Sequence, residues 1–316
     1  MSFYFHDYQP ESEDLQSAVL HGLAQSPKAL HPKFFYDEVG SQIFNQICDQ
    51  PEYYVPRLER QILEENAKEL VQCLGEGCHL IEPGAGSGIK VRFLLDRVNA
   101  ALYAPMDISS EHLKHSAQRL SDDYPELPIH AVCVDHTKQY ELPAEIPKDK
   151  RVFFYPGSSL GNFSPRDAIA FLQGLRDKAG ESGGLLIGID TKKPSHVLNA
   201  AYNDAAGATA AFNLNVLVRL QEELGAKIDL NGFQHHAFYN EQKGRIEMHL
   251  KSVWKQQIDI KGQSFQLQAG ESIHTENSYK YTPEEFQILA WEAGWKSEKL
   301  WLDSQAYFSV HFLRVR

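Results

Sequence analysis

The chain first offers ligand chemistry in the run from Glu82 to Gly88, EPGAGSG. Its alternating glycines, Gly84, Gly86 and Gly88, let the main chain turn tightly and press against a ligand with no Cβ in the way. Leu80 and Ile81 before the run read as the end of a buried strand. The apolar residues Val91, Phe93, Leu94, Leu95 and Val98 after it recur at helical spacing. A strand, a glycine turn and a helix N-terminus together leave free amides for an electron-rich group. A carboxylate complements them, because Asp107 closes the apolar segment from Ala101, 23 positions beyond Gly84. That spacing places it at the carboxyl end of the neighbouring strand, where it accepts from ribose hydroxyls or caps the helix from Ser109 to Leu120. The turn does not fit the dinucleotide fingerprint, since Ile89 and Val91 stand where that pattern requires its last glycine.

Other polar and aromatic side chains have the types to act on a ligand held there. The apolar run Arg151 to Tyr155 breaks into Pro156, Gly157, Ser158, Ser159, Gly161 and Asn162, which delivers polar groups to the same edge. Another apolar segment, Ile129 to Val134, ends in Asp135 and His136. Phe34, Phe35 and Tyr36, with Tyr53 and Tyr54, are clustered too densely beside Gly and Pro to share one helical face. They are either packing under a cap or, for the tyrosines, hydroxyls lining a pocket. The adjacent His235 and His236 lack the ligand spacing of a metal site around them, so no metal is expected. Cys48, Cys73, Cys78 and Cys133 form no CxxC pair and read as reduced thiols.

Holding these residues together requires an α/β sheet. Strand patterns at Leu80–Ile81, 101–107, 129–134, 151–155 and 184–190 alternate with helices, one of them from Pro165 to Lys178 with Ser164 as its cap. An acidic tail, an amphipathic helix near Ser12 to Leu23 and a helix from Leu58 to Leu74 come before. The alternation stops from Lys193 to Thr275. A helical stretch through Tyr202, Phe212 and Leu220 leads there to strand patterns at 232–239, 245–254 and 264–268, which suggest an antiparallel second layer or lid. The rhythm resumes at Thr282 with a helix through Ala293 and two strands, 299–303 and 307–314, suited to an antiparallel edge hairpin. Residues 61–193 and 282–316 therefore read as a nucleotide-binding domain, and 1–60 and 194–281 as a substrate-binding unit closing over its carboxyl edge.

The 316 residues are 42% hydrophobic, ample for a packed core, and 31 Lys and Arg against 42 Asp and Glu leave a net charge of -11. That field disfavours nucleic acid and favours a small-molecule partner. No apolar leader and no 18-residue apolar segment is present, so a cytoplasmic enzyme without a membrane partner is expected, as a monomer.

The E-x-G-x-G-x-G form resembles motif I of class I S-adenosylmethionine-dependent methyltransferases, in which Asp135 and His136 would stand where adenine is read. More specific stretches resemble the L-histidine Nα-methyltransferases of ergothioneine biosynthesis. These are FFYDEVGSQIF from Phe34, PEYY from Pro51, GSSLGNF from Gly157, AYNDAAGATAAFNLNVL from Ala201, and RIEMHL from Arg245 with HTENSYKY from His274. The resemblance covers nearly the whole chain. It implies a class I, Rossmann-like α/β sheet with an inserted α+β substrate domain, and S-adenosylmethionine as methyl donor.

By the same resemblance, Gly84, Gly86, Lys90, Asp107, Asp135 and His136 would contact the donor. Lys90 would pair with its carboxylate, Asp107 with ribose and Asp135 with the adenine amino group, while His136 stands where the family often has Phe. Asn162 and Tyr202 would anchor the amino-acid carboxylate and amine beside the Gly157 backbone, and Tyr36 would face the amine. Tyr53, Glu276 and Ser278 would read the imidazole, with Met248 packed on the ring. The alternative for Glu276 is a solvated carboxylate beside Lys280. The activity implied is trimethylation of L-histidine. Its rivals are the same chemistry on another amino acid or histidine derivative, a dinucleotide-dependent oxidoreductase, and a protein that binds the donor without turnover.

Overall fold

The computed structural model describes residues 3–8 and 15–316. The chain opens on strand β1 (Phe3–Asp7), then α1 (Leu15–Ala24), a 3-10 turn (Pro32–Phe35) and α2 (Glu38–Cys48). Residues 12–14 of the helix expected from Ser12 lie outside the described residues. Two helices, α3 (Val55–Glu65) and α4 (Ala67–Leu74), replace the single one expected over 58–74. The break falls at Asn66, which leaves helical geometry while its side-chain amide donates to the Ile62 carbonyl at 2.8 Å. The glycine unit follows as β2 (His79–Pro83), a turn and α5 (Ile89–Leu95). The alternation continues through β3 (Leu102–Asp107), α6 (Ser110–Asp123), β4 (Ile129–Cys133), β5 (Arg151–Tyr155), α7 (Pro165–Ala179) and β6 (Gly184–Asp190). Ser164 starts α7 by accepting from the Asp167 amide at 3.2 Å, with Pro165 in the first turn.

The interruption contains α8 (Ser195–Ala201), α9 (Ala208–Leu224), β7 (Phe233–Asn240), β8 (Arg245–Ser252), β9 (Gln256–Ile260), β10 (Gln263–Leu267) and β11 (Ser272–Tyr279). Five strands therefore stand where three were expected. They form an antiparallel three-stranded sheet ordered β11-β8-β7 and a separate β9–β10 hairpin. The hairpin turns on Lys261 and Gly262, both at positive φ, the backbone that a two-residue hairpin turn needs. The chain closes with α10 (Pro283–Glu292), held by a Thr282–Glu285 capping box, then β12 (Trp295–Leu302) and β13 (Phe308–Val315).

The central sheet runs β1-β4-β3-β2-β5-β6-β13-β12, parallel except for β13, which is antiparallel to both its neighbours. It is the doubly wound class I sheet with its antiparallel hairpin at one edge. β2 lies between β3 and β5, so the chain reverses direction across the sheet at the β2/β5 crevice, where ligands of such sheets bind at the carboxyl ends. At the other edge β1 pairs in parallel with β4, from Phe3 opposite Ile129 to Asp7 opposite Cys133. Part of the tail assigned to the 1–60 unit is thus a sheet strand. Phe3 and Phe5 alternate toward the apolar core, while Tyr4 and His6 stack on His130 on the other face.

α7 and α10 cover one face of the sheet, where Phe171, Leu172, Phe286 and Trp295 are buried. The other face fills with Val91, Leu94, Leu113 and Leu120, and this cluster runs on without interruption into Phe35 of the N-terminal 3-10 turn and Phe212, Val216, Ile246 and Leu250 of the inserted layer. The shared apolar core fixes that layer over the carboxyl edge of the sheet.

Candidate active site

The glycine turn adopts the backbone that its composition demands. Gly84, Gly86 and Gly88 all have positive φ, at 70°, 53° and 68°. A Cβ on Gly84 would stand 3.3 Å from the His136 ring, whereas one on Gly86 would meet nothing within 4 Å. The turn is thus closed on the His136 side and open over Gly86. Asp107 fastens it, one carboxylate oxygen accepting from the Gly86 amide at 3.1 Å and the other from the Ser109 amide at 3.0 Å. A carboxylate has about four acceptor positions, which leaves capacity for ligand hydroxyls. Asp135 accepts from the Thr137 amide and hydroxyl at 3.0 and 2.6 Å. Its burial opposes ionisation, but these bonds outweigh it and hold the carboxyl below its ordinary pKa. The His136 ring stands edge-on to Tyr155 and Phe171, and burial keeps it neutral. Its Nδ1 is buried without a hydrogen-bond partner, an orphan suited to the polar edge of a base. The expected donor residues therefore fit an adenosine-bearing ligand.

A hollow that begins at Gly157, next to the Lys90 ammonium, is lined by Tyr36, Tyr53, Gly157, Asn162, Tyr202, Met248, Glu276 and Ser278 together. Every residue expected to bind the amino-acid substrate lines this one pocket, although they are spread along the chain from Tyr36 to Ser278. Gly157 and Ser158 are consecutive left-handed residues, φ 78° and 58°, and they turn the chain abruptly at the end of β5. A 3-10 turn (Ser159–Asn162) then presents Asn162. Asp204 receives the Ala208 and Thr209 amides, both at 2.7 Å, and so starts α9 under the pocket. On α9, Phe212 meets the Tyr36 and Phe44 rings at 5.5 and 5.8 Å between centroids. Tyr53 stands edge-on to Tyr202 at 6.1 Å. Tyr36 leaves 45% of its surface open, yet burial of its hydroxyl and the nearby Glu276 push its pKa up, and burial does the same at Tyr53. Both phenols stay protonated.

β11 owes its aim to a bulge between His274 and Glu276. The extra residue puts Glu276 and Ser278 on the buried face with Ile273, and the His274 Nε2 donates to the Glu276 carbonyl at 3.0 Å to hold it there. Glu276 is buried, not the solvated carboxylate of the alternative reading, and burial pushes its pKa up to about 7 against the pull of Lys280. Lys280 Nζ reaches Asp190 at 2.7 Å, Ser278 Oγ at 2.8 Å and the Tyr202 hydroxyl at 3.1 Å. Asp190 also accepts from Lys193 and from the Tyr54 hydroxyl.

Three participants escaped the sequence. Glu59 on α3 is buried at the crevice, where it accepts from the Gly157 amide at 2.7 Å and from Lys90 at 3.2 Å. Lys90, expected to meet a donor carboxylate, pairs here with Glu59. A Cβ on Gly188 would fall 2.1 Å from this Glu59 carboxylate, so the glycine makes room for it. Asp190 and Lys280 are the others. Both sit in quoted or strand-ending positions, but only the fold shows that they meet. Tyr54, grouped with the possible pocket tyrosines, belongs instead to the Asp190 network. His235 is a structural histidine, its ring bonded to Asn213 and the Tyr202 carbonyl, both at 2.9 Å. Among the described residues, Glu247, His249 and His274 lie close enough together to share a metal ion, on the sheet face opposite Met248, with Glu247 already bonded to Arg245.

A family model of histidine-specific, S-adenosylmethionine-dependent methyltransferases matches residues 15–315. The histidine N-alpha-methyltransferase of Mycolicibacterium smegmatis is 37% identical over 95% of this chain and 94% of its own length. That of Mycobacterium tuberculosis is 35% identical over 94% and 93%. Ergothioneine biosynthesis protein 1 of Neurospora crassa is 30% identical over 91% of this chain and 33% of its own length. No helix of the described residues is long and apolar enough to cross a membrane. Matched from residue 15 to residue 315, the chain belongs to the family of histidine-specific, S-adenosylmethionine-dependent methyltransferases.

Proposed function

We propose that the protein methylates the α-amino nitrogen of L-histidine three times, giving the trimethyl betaine, in the chemistry of ergothioneine biosynthesis. The observation that supports this most strongly is the convergence of polar groups for a carboxylate, an amine and an imidazole on one pocket next to the glycine turn. The donor supplies an electrophilic methyl carbon on a sulfonium, and the amine lone pair takes that carbon as the carbon–sulfur bond breaks. Positive charge moves from sulfur to nitrogen with little net change, so alignment matters more than acid–base strength. Gly84, Gly86, Asp107, Asp135 and His136 would hold the donor, with Lys90 at its amino-acid end.

The pocket residues then divide the substrate between them. Asn162 would take the carboxylate, Glu276 would accept the imidazole N–H, Ser278 would meet the other ring nitrogen, and Met248 would pack against the ring. Tyr202 and the Gly157 backbone complete the amino-acid anchor. The amine must shed a proton before each transfer. Tyr36 and Tyr53 would pass it on as neutral hydroxyls, since their raised pKa rules out phenolate at neutral pH. As methyls replace hydrogens the product loses donors, but the faces of Tyr36 and Phe44 still attract the cation, at roughly 0.5–2 kcal/mol each. In this reading the layer built from residues 194–281, with helices from 15–60, is the substrate-binding unit over the methyltransferase sheet. The protein would act as a cytoplasmic monomer on a free amino acid, with no nucleic-acid partner.

Mass spectrometry of histidine incubated with protein and donor tests the reading. Successive gains of one, two and three methyl groups are expected. Methylation of a different amino acid with histidine untouched would reassign the substrate. A Tyr36→Phe variant that keeps all three rates would remove Tyr36 from the proton path.

A further inference from the structure

Lys280 is buried to 1% exposure at the floor of the pocket, and the proposed chemistry leaves it unused. An ammonium has three N–H donors and no acceptor. All three are spent, on Asp190 Oδ2, Ser278 Oγ and the Tyr202 hydroxyl, so Lys280 has none left for a substrate. Each hydroxyl oxygen is therefore obliged to accept from the lysine. Between them the two hydroxyls own two hydrogens. Tyr202 spends one in donating to Ser278 Oγ at 2.9 Å. Because the phenol is the more acidic hydroxyl, it is the donor of this pair; Ser278 Oγ then accepts twice, from Lys280 and from Tyr202, and its own hydrogen is left for the pocket that it lines.

We propose that Lys280, anchored on Asp190, is a positioning residue that makes the Ser278 hydroxyl an obligate donor to the substrate ring. This deepens the histidine reading and rests on it. Glu276 lines the same pocket as an acceptor, so the pair selects a ring with one N–H and one bare nitrogen. That description fits a neutral imidazole and excludes a protonated one, which has no bare nitrogen to offer. A pyrrole ring of the same size fails at the Ser278 end. The Asp190 anchor makes this arrangement durable, because Asp190 is itself fixed by Lys193 and by the Tyr54 hydroxyl, whose one hydrogen is shared between the two carboxylate oxygens at 3.0 Å each.

The test compares full-length wild type with Lys280→Met on histidine and on pyrrol-2-yl- and pyrrol-3-ylalanine, which keep the N–H and replace the bare nitrogen by C–H. Removing Lys280 leaves Asp190 still paired with Lys193, so a folded variant is expected, checked by unchanged affinity for S-adenosylmethionine. The variant's KM for histidine should rise on the order of tenfold, the scale of one hydrogen bond, with little change in kcat. Measured at a pH well above the Glu276 value, so that losing the pull of Lys280 leaves that carboxylate ionised, its KM for both pyrroles should stay put. Lys280→Gln keeps an amide donor and should recover part of the histidine affinity. It also carries the test, with a smaller expected effect, if the Met variant fails to hold the donor. On a Ser278→Ala background the Lys280→Gln change should add nothing to the histidine KM. Equal losses on all three substrates, no loss on histidine, or additive losses in the double variant would overturn the proposal. Wild type that leaves histidine unmethylated would overturn the functional reading instead, before any variant is compared.

Discussion

Two buried carboxylates give the site its titration behaviour. Glu276, with its pKa raised to about 7 by burial, is half ionised near neutrality, and only its ionised form accepts from an imidazole N–H without offering a competing proton. The kcat/KM for histidine is therefore expected to climb as pH rises through about 7. In Glu276→Gln the component centred near 7 should disappear, leaving only the rise that amine deprotonation imposes, and KM should rise roughly tenfold to a hundredfold, the range for a hydrogen bond to a charged group; steady-state rates from pH 6 to 9 check both. Glu82, at the end of β2, has its pKa pushed up to about 8 by burial, although the Tyr103 hydroxyl donates to it at 2.5 Å. The folded state keeps a proton that the unfolded chain releases above its ordinary value of 4.5, so stability must fall as pH climbs from about 4.5 to about 8. Glu82→Gln should remove that decline, by up to roughly 4 kcal/mol at pH 9 and little at pH 5, read from paired melting curves. At this scale the types of the site residues were legible, because glycines, tyrosines and acids are tied to what each can do. Their states were not, because Glu276 reads as solvated or buried until its neighbours are known.

Among the elements, the contact between the turn after β5 and strand β11 joins the two layers of the site. Gly161 sits where an added Cβ would lie 2.8 Å from the Tyr279 carbonyl oxygen and 3.3 Å from Ser278 Oγ. Neither the strand nor the tight turn has room to yield, so Gly161→Ala should cost about 1–3 kcal/mol of stability, as other overpacked positions do. By shifting Ser278 it should also raise the histidine KM, and a denaturant titration with a rate measurement checks both effects. The parallel strands β2 to β6 and the capped helices α7 and α10 were legible to within a residue or two. Val152 to Phe154 and Leu185 to Ile189 are buried on both faces, and a run such as Thr282 to Glu285 caps itself wherever it stands. The inserted strands were less so. β9 has only two isoleucines, either side of Asp259, in five residues, and the β11 bulge interrupts the period of two just where Glu276 must turn inward.

For the molecule as a whole, the edge strand β1 covers β4, whose end carries Asp135 and His136. A chain lacking residues 1–8 would expose that edge. Its affinity for S-adenosylmethionine should fall severalfold while histidine affinity at saturating donor changes less, and calorimetry with each ligand separates the two. By itself the sequence determined the class of sheet and the glycine turn, which are written in local periodicity and turn chemistry, and its resemblance to one family singled out part of the pocket lining, because those stretches are specific motifs. Only tertiary structure decided that Phe3–Asp7 joins the sheet, that Glu59 closes on Lys90 and Gly157, and that Lys280 and Asp190 meet beneath Ser278 and Tyr202. The partners in each case lie far apart along the chain, and a charge on an amphipathic helix or at a strand end looks solvated until packing removes the water around it.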